Sequence, residues 1–136
     1  MRKLTLILTT LIFFSVMFSP STSFAEWTGV SESVGATFYV DFERIRKHDG
    51  YVYWWDLVDF LKPNEFGTLS TKIYIQGDCK KFRYKYLSFS YYKEPMGGGV
   101  MTDGSGEPIE ELKGWHYPPP DSPSGIILKS VCQYAR

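Results

Sequence analysis

Residues 51–60, YVYWWDLVDF, are apolar on both parities of an extended chain: Val52, Trp54, Val58 and Phe60 on one face, Tyr51, Tyr53, Trp55 and Leu57 on the other. A strand apolar on both sides is a central one, covered above and below. Asp56 and Asp59 interrupt it on opposite faces, and both cannot point inward at low cost, because a buried carboxylate needs a partner. Residues 71–92, TKIYIQGDCKKFRYKYLSFSYY, then read as two strands meeting at Gly77-Asp78. In the first, Ile73 and Ile75 oppose Lys72, Tyr74 and Gln76. In the second, Phe82, Tyr84 and Tyr86 oppose Arg83 and Lys85, after which the apolar set moves to Leu87, Phe89 and Tyr91. A shift of one residue within a strand is the signature of a β-bulge, expected here near Tyr86.

Two short strands are expected before this core, over 26–32 and 36–41, then a turn or one helical turn at 42–47 and a tight corner at His48-Asp49-Gly50. Residues 62–67 are a loop on Pro, Asn and Gly chemistry. Residues 94–108 are Gly-rich, with a brief edge strand over 100–102 and the mobility of an unpinned loop. One helical turn is expected at 109–114 and an extended piece at 115–117. Pro118-Pro119-Pro120 makes a stiff connector. Ser122 is placed as N-cap with Pro123 at the first helical position. From 124 to 135, Ile127, Leu128, Val131, Cys132 and Ala135 share a helical stripe. A helix this short is marginal alone, so its stripe must pack on the sheet. The pattern predicts an α+β fold: a single antiparallel sheet of about five to six strands with a C-terminal helix on one face.

The first 25 residues stand outside that pattern. Arg2 and Lys3 precede an apolar run from Leu4 to Phe18, and Ser23-Phe24-Ala25 closes it with small residues at −3 and −1 of a cut before Glu26. This is a secretory signal peptide, its core too short to span a bilayer. Residues 26–136 are then one domain, exported to the periplasm or cell surface. No cysteine follows the cut to carry a lipid. Without Arg2 and Lys3, a chain of 15 cations and 15 anions is left two charges negative, which argues against nucleic acid as a partner. Two cysteines in an exported chain point to one disulfide, Cys79 to Cys132, tying helix to sheet.

Catalytic chemistry finds no foothold. There is no nucleophile elbow, no Cys-x-x-Cys, no zinc spacing, and Gly97-Gly98-Gly99 lacks the strand-to-helix setting of a dinucleotide loop. No enzyme, metal or cofactor is expected. His48 in a turn and His116 beside Trp115 suit solvated or structural roles. Two binding candidates emerge. Lys80, Lys81, Arg83 and Lys85 interleave with Phe82, Tyr84 and Tyr86 as a basic, aromatic stripe suited to an acidic protein, glycan or lipid head group. The loop 93–107, with its glycines, Met96 and Met101, could mould to a partner.

The chain also resembles the surface-adhesin protein E family of Gram-negative bacteria. The matching residues are Phe38-Tyr39-Val40-Asp41 followed by Ile45, Val52-Tyr53-Trp54-Trp55-Asp56-Leu57, Ser70 and Lys72 leading to Asp78-Cys79, and Pro120-Asp121-Ser122 followed by Val131-Cys132. The resemblance runs from Trp27 onward. It implies an antiparallel sheet with a disulfide-tied C-terminal helix, and a non-enzymatic adhesin of the kind that binds host matrix glycoproteins such as vitronectin and laminin, or envelope components, with a homodimer possible. The competing expectation is a soluble periplasmic small-ligand or stress-response module, which needs a closed apolar pocket lined by residues such as Trp54, Trp55 and Tyr86.

Overall fold

The structure is a computed structural model that describes residues 26–136; the expected signal peptide lies outside the described residues. Six strands form one antiparallel sheet: β1 (Thr28–Ser33), β2 (Ala36–Val40), β3 (Arg46–His48), β4 (Tyr51–Phe60), β5 (Ser70–Asp78) and β6 (Arg83–Tyr92). Their spatial order is β1-β2-β4-β5-β6, with β3 prolonging the β2 side of β4. The fold class and the sheet-to-helix tie expected from the pattern are what the chain adopts. The 42–47 segment is the exception: a 3-10 turn at Phe42–Arg44 is followed by β3, whose three polar residues carry no apolar alternation. Asp49 and Gly50, both at positive φ, close the β3–β4 corner, as a tight hairpin of this chemistry requires.

The register settles which side chains share a face. Trp54 pairs with Ile75, Asp56 with Ile73, Val58 with Phe38, and Gly77 with Val52 and Tyr84, all on the side covered by α1 (Pro123–Tyr134). At the bulge the register of β6 steps from Tyr86 to Ser88 opposite Ile75 and Tyr74, leaving Leu87 as the extra residue. That step returns Phe89 and Tyr91 to the face of Tyr84 and Tyr86, so β6 stays apolar toward the helix along its length.

The helix begins as its sequence dictates. Ser122 Oγ accepts from the Gly125 N–H at 3.1 Å, and Pro123 occupies the first turn. Its stripe of Ile127, Leu128 and Val131 is buried against Val52, Trp54, Ile75 and Tyr84. Trp54 is 1% exposed, and Leu128 and Val131 are wholly buried. Two close approaches demand glycine. A Cβ at Gly77 would stand 2.6 Å from the Trp54 ring and 3.1 Å from Leu128 Cδ1, and one at Gly125 would collide with the Pro119 carbonyl. The Cys79–Cys132 disulfide then joins the end of β5 to the last turns of the helix, with Cα atoms 5.8 Å apart.

A carboxyl group lies inside this apolar sandwich. Asp56 is buried on the helix face, where Trp54 Nε1–H donates to Oδ1 at 2.6 Å. It borders a cavity of about 40 Å³ with Phe38, Val58, Tyr84, Tyr86, Ser124 and Ile127. Burial pushes the carboxyl up to about 7, against the smaller opposing effect of the Trp54 bond. Tyr86, on the same cavity, is also pushed up, first by burial and then by its neighbour Tyr84, whose hydroxyl is 3.3 Å away.

Three measurements follow from this packing. Because the folded state holds the Asp56 proton more tightly than the unfolded chain, its stabilisation is complete below about pH 4 and is lost as pH rises to about 7. The full swing is about 4 kcal/mol. Urea titrations over that range should show the slope in the native chain and lose it in Asp56→Asn; an unchanged slope would assign it elsewhere. Gly77→Ala should cost about 1–3 kcal/mol by overpacking beneath Trp54, read from the same titrations. Replacing Cys79 and Cys132 by serine opens a loop of sequence separation 53 and should remove about 4 kcal/mol.

Candidate functional site

The hairpin that joins β5 to β6 turns at residues 79–82, two residues later than the Gly77-Asp78 corner expected. Phe82 sits at φ 51 and the strand alternation starts only at Arg83. Asp78 builds this turn. Its carboxylate accepts from the Lys81 backbone N–H at 3.2 Å and from Arg83 Nε at 2.9 Å. Burial raises the Asp78 carboxyl, but these bonds, the Arg83 charge and the Lys80 N–H together hold it below the usual carboxylate range. Arg83 is raised in turn, first by its bond to the Tyr117 hydroxyl and then by Asp78.

The residues of the expected basic stripe are divided by this geometry. Lys80 and Lys81 are exposed on the turn, beside the disulfide. Tyr84 and Tyr86 point to the helix face, where Tyr84 is buried and Tyr86 borders the Asp56 cavity. Arg83 and Lys85 lie on the opposite, helix-free face. Both cations sit over the Trp115 ring, with Arg83 Cζ 4.0 Å and Lys85 Nζ 4.6 Å from its centroid. Trp115 is brought there by a backbone bridge between Tyr84 and His116, and it packs on Tyr51 with centroids 5.7 Å apart. His116 Nε2 meets the Leu112 carbonyl at 2.8 Å and its ring stacks on Tyr84, a structural post.

The helix-free face carries a second set of groups from the odd positions of β4 and the even positions of β5. Trp55 stacks on Tyr74 at 4.8 Å, and Tyr74 neighbours Tyr53 at 6.2 Å. The Gln76 amide donates to the Tyr53 hydroxyl at 3.0 Å. At the far end Trp27, Arg44, Trp55, Lys72, Ser90 and Tyr92 enclose a groove of about 200 Å³. Lys72 Nζ lies 4.9 Å from the Tyr92 ring centroid, and its stem packs on Gly97. Arg44 is anchored by the buried Asp41, whose Oδ2 is 3.2 Å from Arg44 Nε. The aromatic rings, Gln76 and Lys72 of this face are half-buried, and so are Arg83 and Lys85. Sequence alternation had placed Tyr51, Tyr53 and Trp55 together, and Lys72, Tyr74 and Gln76 together. What it lacked was the register that joins the two sets and the bridge that adds Trp115.

The Gly-rich stretch is pinned rather than loose. Met96 and Gly97 N–H groups donate to Asp59 Oδ1 and Ser70 Oγ, at 2.8 Å each. This folds the Pro95–Gly97 turn over one end of the helix-free face. Further on, Gly106 and Phe89 exchange two backbone bonds of 2.8 Å, and Thr102 N–H donates to the Tyr91 carbonyl at 2.8 Å. Residues 101–116 therefore run along the outer edge of β6, with the 101 position bridged to Tyr92 as the expected edge segment. Between this loop and Asn64-Phe66 lies an open hollow of about 840 Å³, which Val100 and Met101 line with exposed apolar surface. Among the described residues, no three His, Cys, Asp or Glu side chains gather as a metal site, and no helix is long and apolar enough to cross a membrane.

Comparisons with known proteins place this arrangement. A profile of the surface-adhesin protein E family matches residues 27–133. Protein E of Haemophilus influenzae, in its crystal form II, superposes with a TM-score of 0.62 at 17% identity, over 86% of this chain and 95% of that one. Another structure of the same protein gives 0.60 at 17% identity, over 84% and 89%. At that identity the superposition speaks for a shared fold. No curated sequence matches the chain. The profile match spans the whole sheet and nearly all of the disulfide-tied helix, and the chain belongs to the surface-adhesin protein E family.

Proposed function

We propose that the chain is an exported, non-enzymatic binding protein that engages a protein or glycoprotein through the helix-free face of its sheet. Host extracellular-matrix glycoproteins and envelope components are the partners the family suggests. Export rests on the leader of residues 1–25. One observation carries the reading: a face of half-buried rings and cations, most of them on strands, with the Pro95–Gly97 turn over one end and Trp115 over the other. Aromatic and Arg side chains in rigid settings are the groups that carry binding energy at interfaces. The small-ligand alternative called for an enclosed pocket shared by Trp54, Trp55 and Tyr86. Trp54 and Trp55 face opposite sides of the sheet, and the space beside Trp54 and Tyr86 is about 40 Å³. A drug-sized ligand needs roughly 300–1,000 Å³.

The test is binding of residues 26–136 to an immobilised matrix glycoprotein by surface plasmon resonance. The double change Lys85→Glu with Trp115→Ala should weaken binding at least about tenfold, equal to about 1.4 kcal/mol. Lys129→Glu, on the exposed side of α1, should leave it unchanged. Equal loss in both variants, or loss in neither, removes the sheet face as the binding surface.

A further inference from the structure

The helix-free face has a distribution of charge that narrows the class of partner. Asp78 is bonded to Arg83 and Asp59 to the Met96 N–H, while Asp41 is buried beneath Arg44, 3.2 Å from its Nε, with neither oxygen hydrogen-bonded. The Glu94 carboxylate is turned back over Gly98 and Gly99, and Glu32 stands at the far corner, in register with Thr37. Among the described residues Lys72 and Lys85 have no carboxylate within ion-pair distance. Each is instead held against a ring, Lys72 by Tyr92 and Lys85 by Trp115. Lys85 pairs across the sheet with Gln76, four residues along β5 from Lys72. At about 3.3 Å per residue the two rows lie roughly 13 Å apart. Between them run Trp55, Tyr74 and Tyr53, with the Gln76 amide and Ser88 beside them.

We infer that this strip binds an acidic glycan chain in which uronic-acid sugars alternate with uncharged ones. The inference rests on the proposed binding role of the same face and names its ligand. A pyranose offers a C–H face that lies flat on an aromatic ring and a rim of hydroxyls that needs amide and hydroxyl partners. The strip supplies both, since Tyr and Trp combine apolar faces with polar tips. Widely spaced carboxylates suit the two separated lysines. A nucleic-acid strand, with one charge per ~3.4 Å, would set about four phosphates against two free cations. The 200 Å³ groove at Trp27, Trp55 and Lys72 gives one sugar a walled seat, and its lysine is already held in place by Gly97 and Tyr92. A preformed cation loses little freedom on binding.

The experiment is isothermal titration of residues 26–136 with a hyaluronan oligosaccharide, alongside a chitin oligosaccharide, a heparin oligosaccharide, an oligothymidylate and an acidic peptide. Hyaluronan should bind and quench tryptophan fluorescence. Lys72→Glu and Lys85→Glu should each weaken it at least about tenfold, as should Trp55→Ala, while Lys129→Glu should not (tenfold being the ~1.4 kcal/mol of one lost contact). Circular dichroism of each variant confirms that the fold is retained; should Trp55→Ala not fold, Trp55→Phe, which keeps a ring, should retain most of the affinity. Absence of hyaluronan binding overturns the inference. So does equal binding of chitin, tighter binding of oligothymidylate or acidic peptide, or heparin binding indifferent to Trp55→Ala. Binding to a matrix glycoprotein that survives enzymatic removal of its glycans, yet falls with Lys85→Glu and Trp115→Ala, would leave the binding role standing and refute the glycan.

Discussion

The burial of Trp54 between sheet and helix is the contact on which the rest depends. Its ring is the largest fully buried side chain, and it needs room on every side. Position 77 is glycine because a Cβ there would strike the ring, and Leu128 closes over the same spot. Its indole N–H, deep in an apolar layer, would be costly to leave without an acceptor, and Asp56 supplies one. That solution brings a carboxyl into the core and holds it near neutrality. The disulfide and the Ser122 cap secure the two ends of the helix that covers this arrangement. One side of the sheet is thereby committed to stability.

The other side carries large rings that no helix covers. Trp55, Tyr74 and Tyr53 lean on one another, and Trp115 is propped by Tyr51 and two cations. Contacts of this kind are worth about 0.5–1.5 kcal/mol apiece, enough to fix orientation and far less than full burial would give. Trp55, Tyr74 and Tyr53 are set by the ladder of β4 and β5, and side chains supported in this way hold geometry well, whereas Trp115 is carried on a connecting segment bridged to β6. The two tryptophans adjacent in sequence show the division of labour: Trp54 serves the core and Trp55 the exposed surface.

Most of the fold was legible because it is written in local periodicity. The two-sided apolar run of 51–60, the alternation of 71–76, the apolar slip at Leu87 and the stripe of 124–135 each specify an element without reference to distant residues. Three features were not. β3 consists of Arg46, Lys47 and His48, whose exposed side chains leave no pattern. The strand reading of Lys80–Phe82 failed because Asp78 and a positive φ at Phe82 make a turn there, and alternation alone cannot register a backbone bend. The helix-free face was half-seen. Lys85 and Arg83 belong to it as the stripe suggested, but Tyr84 and Tyr86 serve the core. Lys72 and Trp115 arrive through long-range pairings, Lys72 with Ser90 and Tyr84 with His116.

The Gly-rich segment has a consequence for how copies of the molecule can meet. By bonding to Phe89 and Tyr91, while His116 bonds to Tyr84, the chain after β6 occupies part of that strand's outer edge. The short β3 shields its own margin with charge, as exposed strand edges commonly do. Among the described residues β1 pairs only with β2, and its outer side has no backbone partner, with α1 lying close by. Two copies meeting rim to rim through β1 would form a closed two-fold pair, since the same edge serves both partners.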